Sequence, residues 1–372
     1  MTETALMALR SSSRKVYDDK WNAYLEWCEE HDFSHPAKLP QTTVLEFLEE
    51  KSRTVGAFST ILGYITALSR RHEGFSIGTR VKKLSDLSSL QTWKKGAEVR
   101  MAKPRSRTPT WCLEVVLKAL RSPPYHPLVR GCTDYQKLLT RRTVFLVAVS
   151  SARRASEVHA LEYPLDFSGS LVRLWTKEDF LHKVENDWTK NLEIALPSML
   201  EDDDVNLRKL CVRRALLEYT NATQQFRDGS KASQLFRCYG SERKGEPVSK
   251  KRVSQWLVET ITHAYELQKL PLPGLVKGHQ VRKQATSWAV EAGLDPQTIC
   301  DAATWSNTTT FVKAYKLDVA HRGRAVFGHS VLAAASGVAP SSTPPSSQPS
   351  RAKGTLRKAS GLAPGYKIPR RK

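Results

Sequence analysis

The sequence predicts a mainly α-helical protein with a small antiparallel β-sheet, an α+β class in which a helical N-terminal domain precedes a mixed one. Three observations predict it. Apolar side chains in the first hundred residues recur at intervals of three and four, the period of an amphipathic helix. Residues 103–110, Lys-Pro-Arg-Ser-Arg-Thr-Pro-Thr, then break the pattern with two prolines and no apolar residue. Beyond them, hairpin-like segments at residues 171–176 and 192–196 interrupt further helical stretches.

Each element follows from its own spacing. Tyr17, Trp21, Tyr24, Leu25 and Cys28 share one face of a first helix, with Asp18, Asp19, Lys20 and Glu26 opposite. A second helix is expected over residues 42–51 around Val44, Leu45 and Leu48. After Gly56 a third carries the stripe Phe58, Ile61, Leu62, Ile65 and Leu68, and a basic fourth segment covers residues 84–102. These four form a predicted bundle, the domain of residues 1–102. Residues 103–110 are its linker to a second domain over 111–332.

Within that second domain, helices are expected at 113–119 and 135–149, followed by the hairpin. Leu207, Leu210, Cys211 and Ala215 mark one further helix, and Val253, Trp256, Leu257, Ile261 and Ala264 another. Three more helix signals follow Gly278. The first runs from Gln280 to near Gly293, the second opens at Asp295-Pro296 and the third starts after Ser306-Asn307. From residue 333 the composition changes. Residues 340–350 are only Ser, Pro, Thr and Gln, and residues 351–372 hold eight Lys or Arg and no acid, which predicts a disordered basic tail over 333–372.

The 372 residues include 58 Lys and Arg against 37 Asp and Glu, a net charge of +21. Removing the eight tail cations still leaves +13, so the basic character belongs to the body as well. Such a charge concentrates counter-anions and makes a polyanion the expected partner, nucleic acid before an anionic membrane. The longest apolar run, residues 144–149, is far short of the roughly 20 residues a membrane helix needs, so a water-soluble protein is expected. The opening Met1-Thr-Glu-Thr lacks the basic start and apolar stretch of a secretory leader. Six scattered cysteines without a Cys-x-x-Cys pair read as reduced thiols, which with the basic tail suggests a nuclear protein made in the cytosol.

The residues that could carry chemistry are individually weak. With ten His, chance supplies roughly one His-x-x-Arg, and the chain has two, at His279–Arg282 and His321–Arg324. Arg153-Arg154, taken alone, reads as a solvated pair. The order is what stands out: Arg154 with Glu157 three residues on, a lysine near the hairpin, His279 and Arg282 opening a helix, then Trp305, then Tyr315.

In that order the chain resembles the tyrosine recombinases, the phage-integrase-like family. Ser151-Ala-Arg-Arg-Ala-Ser-Glu-Val158 matches the family box Thr-Gly-Leu-Arg-x-Ser-Glu-Leu with Arg154 in the catalytic place. His279-Gln-Val-Arg282-Lys283 matches the second box, and Trp305 and Tyr315 fall on its third position and nucleophile. The segments Leu235-Phe-Arg-Cys-Tyr-Gly240, Pro247 to Leu257 and Thr286-Ser-Trp-Ala289, with the ten-residue step from Trp305 to Tyr315, are most similar to recombinases of DIRS-type retroelements. The chain departs from the box at Ser151-Ala152, in place of Thr-Gly, and at Ala155, where a larger aliphatic residue is usual.

The resemblance implies a helical core-binding domain joined to a recombinase catalytic domain, closed as a clamp on duplex DNA, with four protomers on two sites. It implies cleavage by the Tyr315 oxygen, a 3′-phosphotyrosyl link and a released 5′-hydroxyl, with no metal and no small-molecule cofactor. A pentavalent phosphorus gathers negative charge, and Arg154 and Arg282 would meet it with planar guanidinium forks. His279 would assist proton transfer or bond the phosphate, and Trp305 would donate its indole N–H. A lysine would protonate the leaving oxygen, either Lys183, which fits the DIRS-type pattern, or Lys177 nearer the strand end.

Other features take plainer readings. Gly328-His329-Ser330 imitates the third box, but no Tyr lies nine or ten residues on. The acidic run 201–204 suits a helix N-terminus through the dipole and needs no metal. A non-catalytic duplex-DNA-binding protein derived from such a recombinase is the competing reading; an RNA-associated protein explains the charge but not the ordered set.

Overall fold

The computed structural model describes residues 11–33, 41–75, 84–102, 111–180, 182, 193–227 and 233–305. The expected linker 103–110, Lys183, the helix after Ser306-Asn307, Tyr315 and the tail 333–372 lie outside the described residues. Among those described, helices dominate and one two-stranded antiparallel sheet is present, the expected α+β class. They divide into two units: residues up to Trp288 together with 302–304, and residues 289–301 with Trp305.

The first four helices follow the predicted faces. They are α1 (Ser11–Glu30), α2 (Gln41–Thr54), α3 (Phe58–Phe75) and, after a 3-10 turn at Leu84–Asp86, α4 (Ser88–Arg100). Trp21, Tyr24 and Cys28 of α1 are buried with Val44, Phe47 and Leu48 of α2 and Ile61, Ile65 and Leu68 of α3. Trp27 joins them, and Phe47 sits edge-on between Tyr24 at 5.2 Å and Trp27 at 5.5 Å. Leu62 departs from the expected stripe and faces solvent, because the i, i+3, i+4 row of five positions is wider than the contact α3 makes. Polar ties close the rim: Trp93 and Arg100 of α4 donate to Glu49 at 2.9 and 2.6 Å, and Trp27 donates to Glu50 at 2.7 Å.

A separate and larger apolar cluster begins at Trp111. It gathers α5 (Leu113–Leu120), α6 (Tyr135–Ser151), α7 (Ala155–His159), strands β1 (Leu171–Leu174) and β2 (Ile194–Pro197), α9 (Val212–Thr223), α10 (Lys250–Leu267) and the start of α11 (Gln280–Glu291), while the short α8 (Val205–Lys209) buries none of its own residues and only Leu210 after it joins the cluster. Helix α6 is buried on nearly every side from Leu138 to Ala148, so it forms the axis around which the others pack. The strands pair with Val172 opposite Leu196 and Leu174 opposite Ile194, and all four side chains of that face are buried. Their neighbours Leu171, Ala195 and Pro197 point away from it, the period-2 pattern of a sheet with one core face.

One expected helix is two. The row Leu207, Leu210, Cys211, Ala215 is broken at Leu210–Cys211, between α8 and α9. The cause is non-local: the buried Arg142 guanidinium of α6 takes the Lys209 carbonyl at 2.6 Å, and Cys211 Sγ accepts from the Met199 amide at 3.3 Å. The acidic run before α8 serves as a cap, Asp204 accepting from the Asn206 amide at 2.7 Å.

Helix α12 (Pro296–Ala302), whose residues up to Asp301 belong to the second unit, starts as its sequence directs. Asp295 Oδ1 accepts from the amides of Gln297 and Thr298 at 2.9 and 3.0 Å, and Pro296 occupies the first helical position. Gly293, at φ 82°, closes the helix before it. Ile299 and Cys300 are buried there against Ala289, Val290 and Trp305.

Candidate functional site

The site is built on the turn where α6 ends. Ser151 bonds back to the Val147 carbonyl at 2.6 Å, and Ala152 then takes the left-handed conformation, φ 49° and ψ 26°. A residue with a Cβ gives up about 1–2 kcal/mol there relative to right-handed backbone. The turn sends Arg153 inward and leaves Arg154 extended, φ −71° and ψ 150°, at the head of α7.

Glu157 holds the arginines in place. Its carboxylate accepts from the Arg154 guanidinium at 2.7 Å and from the Arg154 backbone amide at 3.1 Å, the return half of a capping box. Arg282, in the first turn of α11, approaches the other carboxylate oxygen at 3.9 Å and donates to the Ala303 carbonyl. Burial alone would push the Glu157 carboxyl up; the bonds from Arg154 and the charges of Arg154 and Arg153 outweigh it and hold the pKa below the ordinary carboxylate value. Arg282 is brought down to about 10, chiefly by burial and then by the Arg154 charge, with Glu157 opposing. Glu157 is thus an ionised pin that fixes two guanidiniums from distant segments.

Arg154 and Arg282 open onto one cleft of about 660 Å³. His279 shares it, exposed at the entry to α11, along with Ala155 and Ser156 of α7. The opposite wall is α10, through Lys250, Lys251, Ser254, Gln255 and Val258. Gly278 explains how close His279 comes to that wall: a Cβ at 278 would lie 2.5 Å from Ser254 Oγ and 2.8 Å from the Ser254 carbonyl. Only glycine permits the two backbones to meet there.

Three of the predicted residues, Arg154, His279 and Arg282, therefore come together. Lys177 lies just past the bridge that pairs Leu161 with Thr176, half-buried, its amide bonded to the Ala160 carbonyl at 3.0 Å. Its charge and that of Lys250 both act on the half-buried His159 of α7, whose pKa is lowered first by burial and then by these lysines, against the bond it makes to the Val248 carbonyl. Trp305 belongs to the second unit, where its amide bonds the Cys300 carbonyl at 2.9 Å. Lys183 and Tyr315 lie outside the described residues.

Two features were not read from the sequence. Arg153 is not half of a solvated pair: it is 7% exposed, turned in by Ala152. The α10 wall was also missed, although a signal existed. Ser249 caps α10, accepting from the Arg252 amide at 3.2 Å, yet Lys250, Lys251 and Arg252 crowd three cations into its first turn. Each opposes the helix dipole by about 0.3–1 kcal/mol, and Arg252 is paired with Glu259 at 3.3 Å while Lys250 and Lys251 line the cleft. Among the described residues no group of three or more His, Cys, Asp or Glu is disposed to hold a metal ion, and no helix is long and apolar enough to cross a membrane.

No protein-family model matches the chain, and no curated protein does. Several solved structures are similar. One is a lambda integrase (75–356) dimer bound to a COC′ core site, 13% identical over 82% of this chain and 92% of that one, with a TM-score of 0.47. Another is the Tn1549 transposon integrase in complex with a circular intermediate DNA, 12% identical over 85% and 90%, TM-score 0.49. A third is the XerH site-specific recombinase bound to a palindromic difH substrate, 14% identical over 77% and 72%, TM-score 0.48.

Proposed function

We propose that the protein is a tyrosine recombinase that cuts and rejoins duplex DNA. The observation that carries the reading is the cleft that Arg154 of the α6–α7 turn shares with His279 and Arg282 at the start of α11, with both guanidiniums beside ionised Glu157. With Lys250 and Lys251 on the facing wall, it offers two guanidinium forks and two ammonium groups to one anion. A phosphodiester passing through a pentavalent state needs such preorganised donors.

In this reading the Tyr315 oxygen attacks phosphorus, the bond to the 5′-oxygen breaks, and that oxygen takes a proton from Lys183 or Lys177. His279 handles the tyrosine proton and Trp305 donates to a non-bridging oxygen. The phosphotyrosyl ester keeps the bond energy, so attack by another 5′-hydroxyl restores the backbone without ATP. Residues 1–102 act as a core-binding domain, 103–110 as the linker and 111–332 as the catalytic domain. Four protomers work on two sites, in the nucleus, for a mobile element of the DIRS type.

The test is a nicked duplex that traps the intermediate. Wild type is expected to give a denaturation-resistant protein–DNA adduct that disappears in Tyr315→Phe. DNA binding without an adduct would leave only a DNA-binding derivative of such an enzyme, and an adduct that survives Tyr315→Phe would move the nucleophile elsewhere. Separate Lys183→Ala and Lys177→Ala variants identify the acid by the larger fall in cleavage.

A further inference from the structure

Past the end of β1 the alternation of its buried face runs on. Val172, Leu174 and then Thr176 are buried, while Arg173, Trp175 and Lys177 between and after them are half-buried. The third buried position is polar. Thr176 is 7% exposed, and its Oγ1 shares a hydrogen bond of 3.3 Å with Nε2 of His182, which is also 7% exposed. The imidazole stands edge-on to Phe180, with ring centroids 4.9 Å apart. An apolar pair would close this end of the sheet without the cost of taking a hydroxyl and an imidazole out of water. A buried polar pair does something an apolar one does not: its bond holds at one separation and angle, so it fixes a single course of the chain.

That course is set around Lys177. The bond closes residues 176–182 into a loop, and the main chain of Lys177 is bonded on both sides. Its amide donates to the Ala160 carbonyl at 3.0 Å, and its carbonyl accepts from the Phe180 amide at 3.0 Å. What is left to move is the four-carbon stem and its ammonium. Ala160 ends the short α7 that Arg154 heads, so about 9 Å of helical rise separates the cleft arginine from the residue that anchors Lys177. Helix α7 packs on α10, and His159 at its end bonds the Val248 carbonyl, two residues before Lys250 of the cleft wall. Lys177 is thereby held at the end of α7 where that helix meets the start of α10.

We propose that His182, acting through Thr176, is the positioning residue of Lys177, and that Lys177 so held is the proton donor to the leaving 5′-oxygen. Cleavage forms the bond from the Tyr315 oxygen to phosphorus and breaks the bond from phosphorus to the 5′-oxygen. The Lys177 ammonium gives that oxygen a proton and becomes a neutral amine, while the tyrosine proton leaves through His279. This role rests on the strand-cleaving reading and gives it one acid, Lys177 in place of Lys183.

The experiment compares two nicked duplexes that differ in one atom, the bridging 5′-oxygen of the scissile phosphate or a sulfur in its place. An alcohol needs a proton to leave, whereas a thiol with a pKa of about 8.5 leaves as its anion. Single-turnover adduct formation is measured on both duplexes for wild type, Lys177→Ala, Lys183→Ala, Thr176→Val, His182→Phe, His182→Gln and the Thr176→Val/His182→Phe double variant. On the oxygen duplex Lys177→Ala should lose about 10²- to 10⁴-fold, the usual worth of a general acid. Thr176→Val and His182→Phe should each lose about 10- to 100-fold, the cost typical of removing a group that orients a reacting residue. The double variant should lose no more than either, and His182→Gln should recover part of the loss through its amide.

On the sulfur duplex the Lys177, Thr176 and His182 variants should cut like wild type, a recovery that impaired folding or DNA binding does not produce. Arg154→Lys should stay slow on both duplexes, because its defect lies at the non-bridging oxygens. Wild-type rates in Thr176→Val and His182→Phe, or deficits that persist on the sulfur duplex, overturn the proposal and leave the enzyme reading intact. Sulfur rescue of Lys183→Ala in place of Lys177→Ala overturns it too. A wild type that cuts neither duplex ends the strand-cleaving reading and this role with it.

Backbone hydrogen exchange reads the clamp without any cleavage. Loss of the Thr176–His182 bond should speed exchange at the Lys177 and Phe180 amides while the amides of α6 keep their protection. Unchanged exchange at those two amides refutes the clamp, whether or not the protein cuts DNA.

Discussion

The bundle of α1–α4 and the turn between α6 and α7 treat charge in opposite ways. The bundle keeps its interior apolar and aromatic, and its carboxylates Glu49 and Glu50 take their bonds at the half-exposed rim. Glu49 is held down to about 2, first by the Arg100 bond and then by Trp93. The turn instead buries Arg153 and the carboxylate Glu157, which holds the partly exposed Arg154 and is approached by Arg282 of α11, and it does so behind a left-handed alanine. The first arrangement stabilises a fold at little cost. The second gives up stability to hold positive charge beside a cleft, the arrangement that the proposed strand-cleaving reaction calls for.

Substitutions on each side put that contrast to the test. Phe47→Ala, which empties the centre of the bundle among Tyr24, Trp27 and Tyr64, should lower the unfolding free energy by about 4 kcal/mol in denaturant titrations. Arg154→Lys keeps the charge beside Glu157 but loses the fork, so adduct formation should fall about 10²-fold, near 3 kcal/mol of activation, with little change in melting temperature.

Glu157→Gln removes the pin and should cost about 2 kcal/mol of stability at neutral pH. Because the folded carboxyl titrates below its ordinary value, that stabilisation is present above about pH 4.3 and is lost as pH falls through the lowered folded value. Unfolding curves of wild type and variant should therefore converge in acid; a constant gap would mean that Glu157 acts by packing alone. Gly278→Ala forces α11 from α10 and should cost about 1.5 kcal/mol together with cleavage activity. Ala152→Gly should stabilise by about 0.5 kcal/mol, the left-handed strain relieved less the added chain entropy of glycine.

Periodicity made much of the fold legible. Val253, Trp256, Leu257, Ile261 and Ala264 were placed on one face of α10 by spacing, and all five are buried. The Asp295-Pro296 signal gave the start of α12 because capping is local chemistry. The break between α8 and α9 was not legible, since it depends on Arg142, more than sixty residues away. The same division holds at the site. Arg154, His279 and Arg282 could be picked out by motif order, but two adjacent arginines look alike in sequence, and only the backbone at Ala152 sends one inward. Lys250 and Lys251 were passed over because helical spacing reports which face is apolar, not which wall the polar face becomes.

Helix α10 carries a consequence for how such a protein changes over generations. Its core row, Val253, Trp256, Leu257, Thr260 and Ile261, and its cleft row, Lys250, Lys251 and Gln255, occupy different faces, and the cleft row is exposed. Mutations at 250, 251 and 255 can therefore be sampled with little penalty in folding, and partner preference can drift there while the scaffold stays constant. Position 254 is the exception. Gly278 presses on it, so that one site on the wall is closed to variation while its neighbours remain open.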